Sequence, residues 1–172
     1  MALLGSSILV WVEPPTAYVR LVGRAAVEGS RDFKALILRL EQEGIHQFCL
    51  DLSECKIMDS TFSGVLAALA TDLAARPSRD PCAPFTVVNP NERVRDLLDN
   101  LGVLPLVNLL DQEGILRKSE DAQVITGSAS SKLETAECCL EAHRFLMALK
   151  PENKAKFAEV TRILEQQIEA AH

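Results

Sequence analysis

Hydrophobic residues follow two different periods along the first part of the chain. They alternate in SILVWVE (7–13) and AYVRLVG (17–23), two stretches rich in β-forming residues on either side of a Pro-Pro-Thr break, so the pattern predicts a β-hairpin. Between Ser30 and Gly44 they recur every three to four positions, which predicts an amphipathic helix capped by Ser30 and ended by Gly44. The apolar run HQFCLDL (46–52) predicts a buried strand. A helix between two strands indicates a βαβ unit with parallel pairing.

The same alternation of helix and strand continues to residue 111. The predicted elements are, in chain order, a helix at 60–76, a proline-rich loop at 77–84, a strand at 85–89, a helix at 89–102 and an edge strand at 106–111. Asn89 or Asn91 lies near the start of the last helix, where a capping side chain belongs. The order β-β-α-β-α-β-α-β is typical of an α/β fold with one mixed sheet and helices packed on one face.

The chain turns polar after residue 111, and two further helices follow. The polar composition of residues 112–131 predicts a connecting segment. Ser131 and Glu134 form a capping-box pattern at the start of the next helix, and Pro151 suits the first turn of the last one. A short break between the two predicts a helical hairpin at 132–172. Its apolar positions need a surface, which is the open face of the sheet, a second copy of the chain or a partner protein.

Composition and charge narrow the function classes. Apolar residues make up 48% of the chain and charged residues 24%, as in soluble globular proteins, and the net charge of −6 argues against binding to a nucleic-acid backbone. No uninterrupted apolar stretch is long enough to predict a membrane span. The first residues, MALLGSSILVWVE, lack the basic start of a signal peptide, so a cytoplasmic protein is expected.

The side chains that bind metals or perform catalysis are scattered. The five cysteines form no CxxC pair and have no histidine at zinc-binding spacing, so buried free thiols and no metal are expected; they are Cys49, Cys55, Cys82, Cys138 and Cys139. The histidines, His46, His143 and His172, form no Ser-His-Asp or Cys-His set, and a glycine-rich phosphate loop is absent from the sequence. These observations predict a protein that is not an enzyme and has no cofactor.

The stretch CKIMDSTFSGVL (55–66) places small oxygen-bearing side chains at the start of an apolar helix. Asp59 or Ser60 lies at the N-cap position, and Gly64 is small enough for close packing of the helix on the sheet. One interpretation is an ordinary helix cap. The other is an exposed hydroxyl kept for modification, because a phosphate of about −1.5 to −2 charges suits a helix N-terminus but repels a docked protein.

Two segments resemble the signature of the STAS domain, the family of the anti-sigma-factor antagonists. They are CLDLSECKIMDSTFSGVLAAL (49–69), with its Asp-Leu-Ser strand end and its Asp-Ser-Thr core, and VVNPNERVRDLLDNLGVLPLV (87–107). The resemblance covers about Ser7 to Asp111. It implies that residues 1–111 form a STAS-like domain, a mixed sheet with helices on one face, and that residues 132–172 are an extension of the minimal domain.

The resemblance also implies a partner-switching function in bacterial transcription regulation. Such a protein binds an anti-sigma factor that is also a serine kinase, and this frees the sigma factor. The kinase phosphorylates the serine of the Asp-Ser pair, here Ser60, the complex dissociates, and a metal-dependent serine phosphatase resets it. The implied partner-binding residues are Asp59, Ser60, Thr61, Phe62, Ser63 and Gly64. A homodimer through the C-terminal helices is a further expectation.

One residue departs from the family pattern. Phe62 stands where the family usually has glycine, and it faces either a partner, as an apolar anchor, or the core. An alternative function is a non-enzymatic STAS scaffold or assembly subunit, for example of a lipid- or anion-transport machine. In that alternative the motif is only a binding edge and the C-terminal helices mediate assembly.

Overall fold

The computed structural model describes residues 5–77, 83–111, 121–127 and 129–172, which form a mixed sheet and two layers of helices. The strands are β1 Ser7–Glu13, β2 Thr16–Ala25, β3 Gln47–Asp51, β4 Cys55–Met58, β5 Phe85–Val88, β6 Asn108–Leu110 and β7 Gln123–Ile125. The helices are α1 Val27–Gln42, α2 Ser60–Ala74, α3 Glu92–Asn100, α4 Lys132–Leu149 and α5 Glu152–Ala170, with a short 3₁₀ turn at Leu104–Leu106. Within these residues, no helix is both long enough and apolar enough to cross a bilayer.

The sheet has the predicted mixed topology. Its strand order is β6-β5-β3-β2-β1-β7, and β4 pairs with β2 outside this path. β1 and β2 form the predicted antiparallel hairpin, and β2 and β3 pair in parallel on either side of α1, so the βαβ prediction is confirmed. β6 is the expected edge strand, and it pairs in parallel with β5.

Two strands escaped prediction. β4 has four residues and pairs with the end of β2 across an irregularity between Gly23 and Arg24, so it is too short to show a regular alternation. β7 lies in the stretch predicted as a polar connection and pairs antiparallel with β1. Its three residues are partly or fully exposed, so the sequence shows no alternation of apolar and polar positions that would mark a strand.

An aromatic cluster fills the core between the sheet and helices α1 to α3. Phe33 of α1 lies 4.9 Å from Phe62 of α2 and 6.3 Å from Phe85 of β5, measured between ring centroids. Phe48 of β3 completes the cluster at 5.3 Å from Phe85. Phe62 is therefore a core residue, which excludes its use as an exposed anchor in this arrangement. Burying such side chains is the main favourable contribution to folding.

Several predicted helix ends are confirmed, and one is wrong. Asn91 caps α3 by accepting the Val94 N–H, and Ser131 and Glu134 form the expected capping box of α4. Ser30 does not cap α1, which begins earlier, at Val27; it lies inside the helix, and its hydroxyl donates to the Val27 carbonyl. α1 starts earlier because its first turn receives a cap from a distant side chain, described below.

The C-terminal helices form a third layer on the outer side of α1 and α2. α4 packs on α2 and α1, and α5 packs on α4. Ala142, Leu146 and Phe157 extend the main hydrophobic core across this boundary. The hairpin thus packs on the helical layer of its own chain and not on the other face of the sheet. The sequence pattern did not suggest this surface.

A buried amide fixes the turn of this hairpin to the domain. Asn153 is fully buried, and its side-chain amide donates hydrogen bonds to the carbonyls of Leu101, at 3.0 Å, and Leu146, at 2.8 Å. Leu101 follows α3, so one side chain joins three helices. Such a bond is costly to lose, because a buried carbonyl that loses its donor has no water to replace it.

Gly64 permits the closest approach between α2 and α4. A Cβ atom at this position would lie 2.6 Å from the Ala142 carbonyl oxygen and 2.9 Å from its carbonyl carbon. The sequence predicted a small residue here for packing on the sheet. The correction is that the neighbour requiring it is the backbone of α4.

A pair of glycine substitutions tests this approach. Gly64→Ala is expected to lower the free energy of unfolding by about 1–3 kcal/mol, because the new methyl group meets backbone atoms of α4 that cannot rotate away. Gly29→Ala, in α1, is the matched control; its Cβ meets no atom within 4 Å, and alanine favours the helix. Urea denaturation of both variants measures the difference, and equal stability of the two would contradict the close approach.

Candidate functional site

Asp59 joins the starts of two helices. It follows β4 and is the N-cap of α2, where its Oδ1 accepts the Phe62 N–H at 2.8 Å. Its Oδ2 accepts the Val27 N–H of α1 at 2.9 Å. The N-cap residue of α1, Ala26, has no side chain able to accept this hydrogen bond. A single carboxylate therefore caps the N-terminal ends of two helices.

Ser60 is the first residue of α2, and α4 lies against it. Its Oγ forms a hydrogen bond of 2.9 Å with Nε2 of His143, a residue of α4. The sequence predicted an exposed hydroxyl, but the side chain is only partly exposed because the C-terminal hairpin covers this turn. The His143 ring is buried and stacks on Phe157 of α5, with ring centroids 4.7 Å apart.

The next residues of the motif face inward. Thr61 is buried, and its Oγ1 lies 3.2 Å from the Cys139 sulfur of α4. Ser63 is also buried and donates its hydroxyl proton to the backbone carbonyl of Asp59 at 2.8 Å. Phe62 lies in the core and Gly64 under Ala142. Of the six residues predicted to bind a partner, Asp59 and Ser60 alone keep partial exposure.

The side chains around Ser60 favour their neutral forms. Burial lowers the pKa of His143, an effect that the negative charge of Asp59 partly opposes. Burial raises the pKa of the Cys139 thiol, and the hydrogen bond from Thr61 partly opposes this. At neutral pH the cluster therefore consists of hydroxyls, a thiol and a neutral imidazole, with Asp59 at its edge.

The Ser60–His143 pair has the distance of a nucleophile and its base, but the surroundings of the ring differ from those of a catalytic triad. The other ring nitrogen, Nδ1, faces the Cys139 sulfur at 3.7 Å, whereas in a catalytic triad a carboxylate orients it. Phe157 closes one face of the ring. Sequence reasoning missed this pair because the two residues are 83 positions apart.

The expectation of buried free thiols holds in part. Cys49, Cys55, Cys138 and Cys139 are free thiols, of which Cys55 is buried and the other three are partly buried; Cys82 lies outside the described residues. Burial raises the pKa of both Cys49 and Cys55 to about 11, which keeps these thiols protonated at neutral pH. Within the part of the chain that the structure describes, no group of three or more His, Cys, Asp or Glu is arranged to hold a metal ion.

The segment that includes the Asp-Ser start of α2 matches one family model. A model of the STAS domain matches residues 9–114, more than half of the chain. The chain is a member of the STAS-domain family. Residues 115–172, which include the helical hairpin, lie outside the matched segment of the STAS domain.

Solved structures of anti-sigma factor antagonists share the fold of this STAS protein. The unphosphorylated form of SpoIIAA is 19% identical, with a TM-score of 0.53 over 63% of this chain and 89% of that one. A putative anti-sigma factor antagonist, tm1081 of Thermotoga maritima, is 19% identical, with a TM-score of 0.53 over 60% and 86%. The phosphorylated form of the Bacillus protein SpoIIAA is 19% identical, with a TM-score of 0.50 over 63% and 92%. No curated protein gives a significant sequence match.

The double cap of this STAS domain predicts a stability loss at Asp59. Asp59→Ala removes the acceptor of two helix-terminal N–H groups and is expected to lower the free energy of unfolding by about 1–3 kcal/mol. Asp96→Ala, which removes an exposed carboxylate from α3, is the control and is expected to change it by less than about 0.5 kcal/mol. Urea denaturation of the two variants measures the difference. Equal stability of the two variants would contradict the double cap.

The burial of His143 predicts a loss of stability at mildly acidic pH. The folded protein holds the ring neutral, whereas the unfolded chain takes up a proton as the pH falls below 6.5, the ordinary histidine pKa. The free energy of unfolding should therefore decline as the pH falls through this value, by at most about 1.4 kcal/mol per pH unit. The titratable neighbours are Asp59 at the start of α2 and Cys139 on α4.

Urea denaturation between pH 5 and 8 measures this dependence. His143→Gln removes the titrating ring and should flatten the pH profile relative to the unmodified protein. His172→Gln, at an exposed position, should leave the slope unchanged. A His143→Gln profile as steep as that of the unmodified protein would show that this ring titrates freely in the folded state.

Proposed function

We propose that this STAS-domain protein is a partner-switching antagonist that binds an anti-sigma factor with serine kinase activity and is controlled by phosphorylation of Ser60. The observation that carries the proposal is the position of Ser60. It directly follows the N-cap Asp59, begins α2 and keeps part of its surface exposed, in a chain that belongs to the STAS family. A serine phosphatase would complete the cycle, and the protein itself would act in the cytoplasm as substrate and switch, without catalytic activity.

The electrostatics of the helix start support the phosphorylation of Ser60. The first turn of α2 has the positive end of the helix dipole, which stabilises an added phosphate. The neighbouring carboxylate of Asp59 is already committed to two backbone N–H groups. A phosphate would therefore change the surface charge strongly while the double cap continues to hold the helices in place.

The burial of the other hydroxyl groups makes Ser60 the preferred phosphate acceptor within the motif. Thr61 is 3% exposed and Ser63 is fully buried, so neither hydroxyl is accessible to a kinase in the folded domain. The Ser63 hydroxyl is also engaged with the Asp59 carbonyl. Phe62, the departure from the family pattern, points into the core and leaves the outer side of the first turn unobstructed by its ring.

A second candidate function is a STAS scaffold without a phosphorylation cycle, for example an assembly subunit of a transport machine. The covering of α2 by α4 favours it, because a domain that binds its own C-terminal helices on this face needs no partner there. A stable homo-oligomer in light scattering, together with a failure to accept phosphate, would support the scaffold.

Phosphate transfer tests the proposed function. The purified protein is incubated with ATP and, in turn, with each anti-sigma-factor-type serine kinase encoded in its genome of origin, and intact mass is measured. We expect the mass of one phosphate with one of these kinases. Ser60→Ala should abolish the uptake, because it removes the acceptor oxygen.

Ser53→Ala is the matched control. Ser53 is exposed in the turn between β3 and β4, so its loss should leave phosphate uptake unchanged. Full uptake by Ser60→Ala would refute the assignment of the site. The absence of uptake with every kinase of this type, in a protein whose α2 is shown to be accessible by hydrogen exchange, would refute the proposed function.

A further inference from the structure

We propose that the α4–α5 hairpin is an intramolecular cover of the partner-docking face of α2, and that a kinase reaches Ser60 only after α4 has moved away. The inference rests on the proposed function, since it concerns access to the same serine. It adds a level of control that residues 9–114, the part matched by the family model, do not contain.

The contacts of α4 coincide with the residues that a partner would use. Nε2 of His143 is bound to Ser60, and the sulfur of Cys139 contacts Thr61. One turn farther along α2, the backbone of Ala142 lies where a side chain of residue 64 would project. α4 therefore covers the first two turns of α2, and another protein cannot occupy the same surface at the same time.

The chemistry of phosphate transfer also requires α4 to move away from Ser60. The serine oxygen must attack the γ-phosphoryl group of the nucleotide in line, with the catalytic residues of the kinase around it. In this structure the oxygen is hydrogen-bonded to a buried imidazole, which Phe157 holds in place by stacking. The transfer therefore requires the His143 ring to leave its position, and the ring is carried by α4.

The polar contacts that hold α4 on α1 and α2 are weak ones. Two of them join a hydroxyl to a thiol, Thr61 to Cys139 at 3.2 Å and Ser30 to Cys138 at 3.5 Å, and thiols are poor hydrogen-bonding groups. The ion pair Lys34–Glu141 is exposed to solvent and adds little. The ion pair Arg31–Glu134 is exposed as well, and the Ser60–His143 hydrogen bond joins two neutral groups. Most of the remaining attraction is apolar, and an apolar partner surface can replace it.

A reversible disulfide provides the test. In Ser30→Cys, the new sulfur replaces an oxygen that lies 3.5 Å from the Cys138 sulfur, so a small rotation brings the pair to bonding distance. Oxidation with diamide then fixes α4 on α1, and dithiothreitol releases it. Neither Ser30 nor Cys138 belongs to the predicted partner-binding set. Peptide mass mapping verifies which cysteines are joined.

The readout is the rate of phosphate uptake at Ser60 with ATP and the kinase identified in the transfer assay. We expect the oxidised Ser30→Cys protein to be phosphorylated about tenfold or more slowly than the reduced one, because the accessible fraction falls. The double variant Ser30→Cys/Cys138→Ser cannot form the disulfide and should be insensitive to diamide. Equal rates for the oxidised and reduced single variant would overturn the proposal.

A second variant tests the opposite change and separates the two proposals. Ala142→Leu places a larger side chain against Gly64, so it should push α4 outward and accelerate phosphorylation; its exposure of α2 is measured by hydrogen exchange. If neither the reduced Ser30→Cys protein nor Ala142→Leu takes up phosphate while exchange shows an open α2, the proposed function has failed. If phosphate uptake occurs but does not depend on the disulfide, only the cover has failed.

Discussion

The structure around the site depends on one carboxylate that accepts two helix-terminal N–H groups. Asp59 caps α2 through the Phe62 N–H and α1 through the Val27 N–H, and its own N–H donates to the Ala25 carbonyl at 2.9 Å. Two helix starts and a strand end thereby meet at one residue. This geometry turns the outer side of the first turn of α2, with Ser60, toward α4.

The cluster next to this carboxylate consists of polar groups that carry no charge. His143 and Cys139 are kept neutral by burial, and their contacts to Ser60 and Thr61 are hydrogen bonds between neutral groups. Neutral hydrogen bonds add little net free energy, because water offers equivalent partners once the groups are exposed. The boundary between α2 and α4 is therefore held mainly by shape and apolar contact.

The sequence predicted the parts of the fold that have a long periodic pattern and missed those that depend on distant contacts. The β-hairpin, the βαβ unit and the Asp-Ser start of α2 all have local signals of period, cap or turn. β4 and β7 are too short or too exposed to show a period. The start of α1 was misplaced because its cap comes from Asp59, 32 positions away.

The prediction of the candidate site shows the same contrast between local signals and distant contacts. The motif predicted Ser60 as a candidate, but nothing local to it indicates His143, which contacts Ser60 from 83 positions away. An i,i+4 pair of Cys139 and His143 on an amphipathic helix is the only signal that the sequence offers, and this pair is more often a packing feature. The placement of the hairpin on α2 could not be read from its apolar pattern, which fits any apolar surface.

The pairing of β7 with β1 has a consequence for any separation of the hairpin from α2. β7 ends at Ile125 and α4 begins at Lys132, so only the small polar stretch TGSASS joins the sheet edge to the hairpin. Groups joined by so short a linker keep an effective local concentration in about the millimolar range. A displaced hairpin would remain a constant competitor for α2, and a binding protein would have to exceed it in concentration, affinity or both.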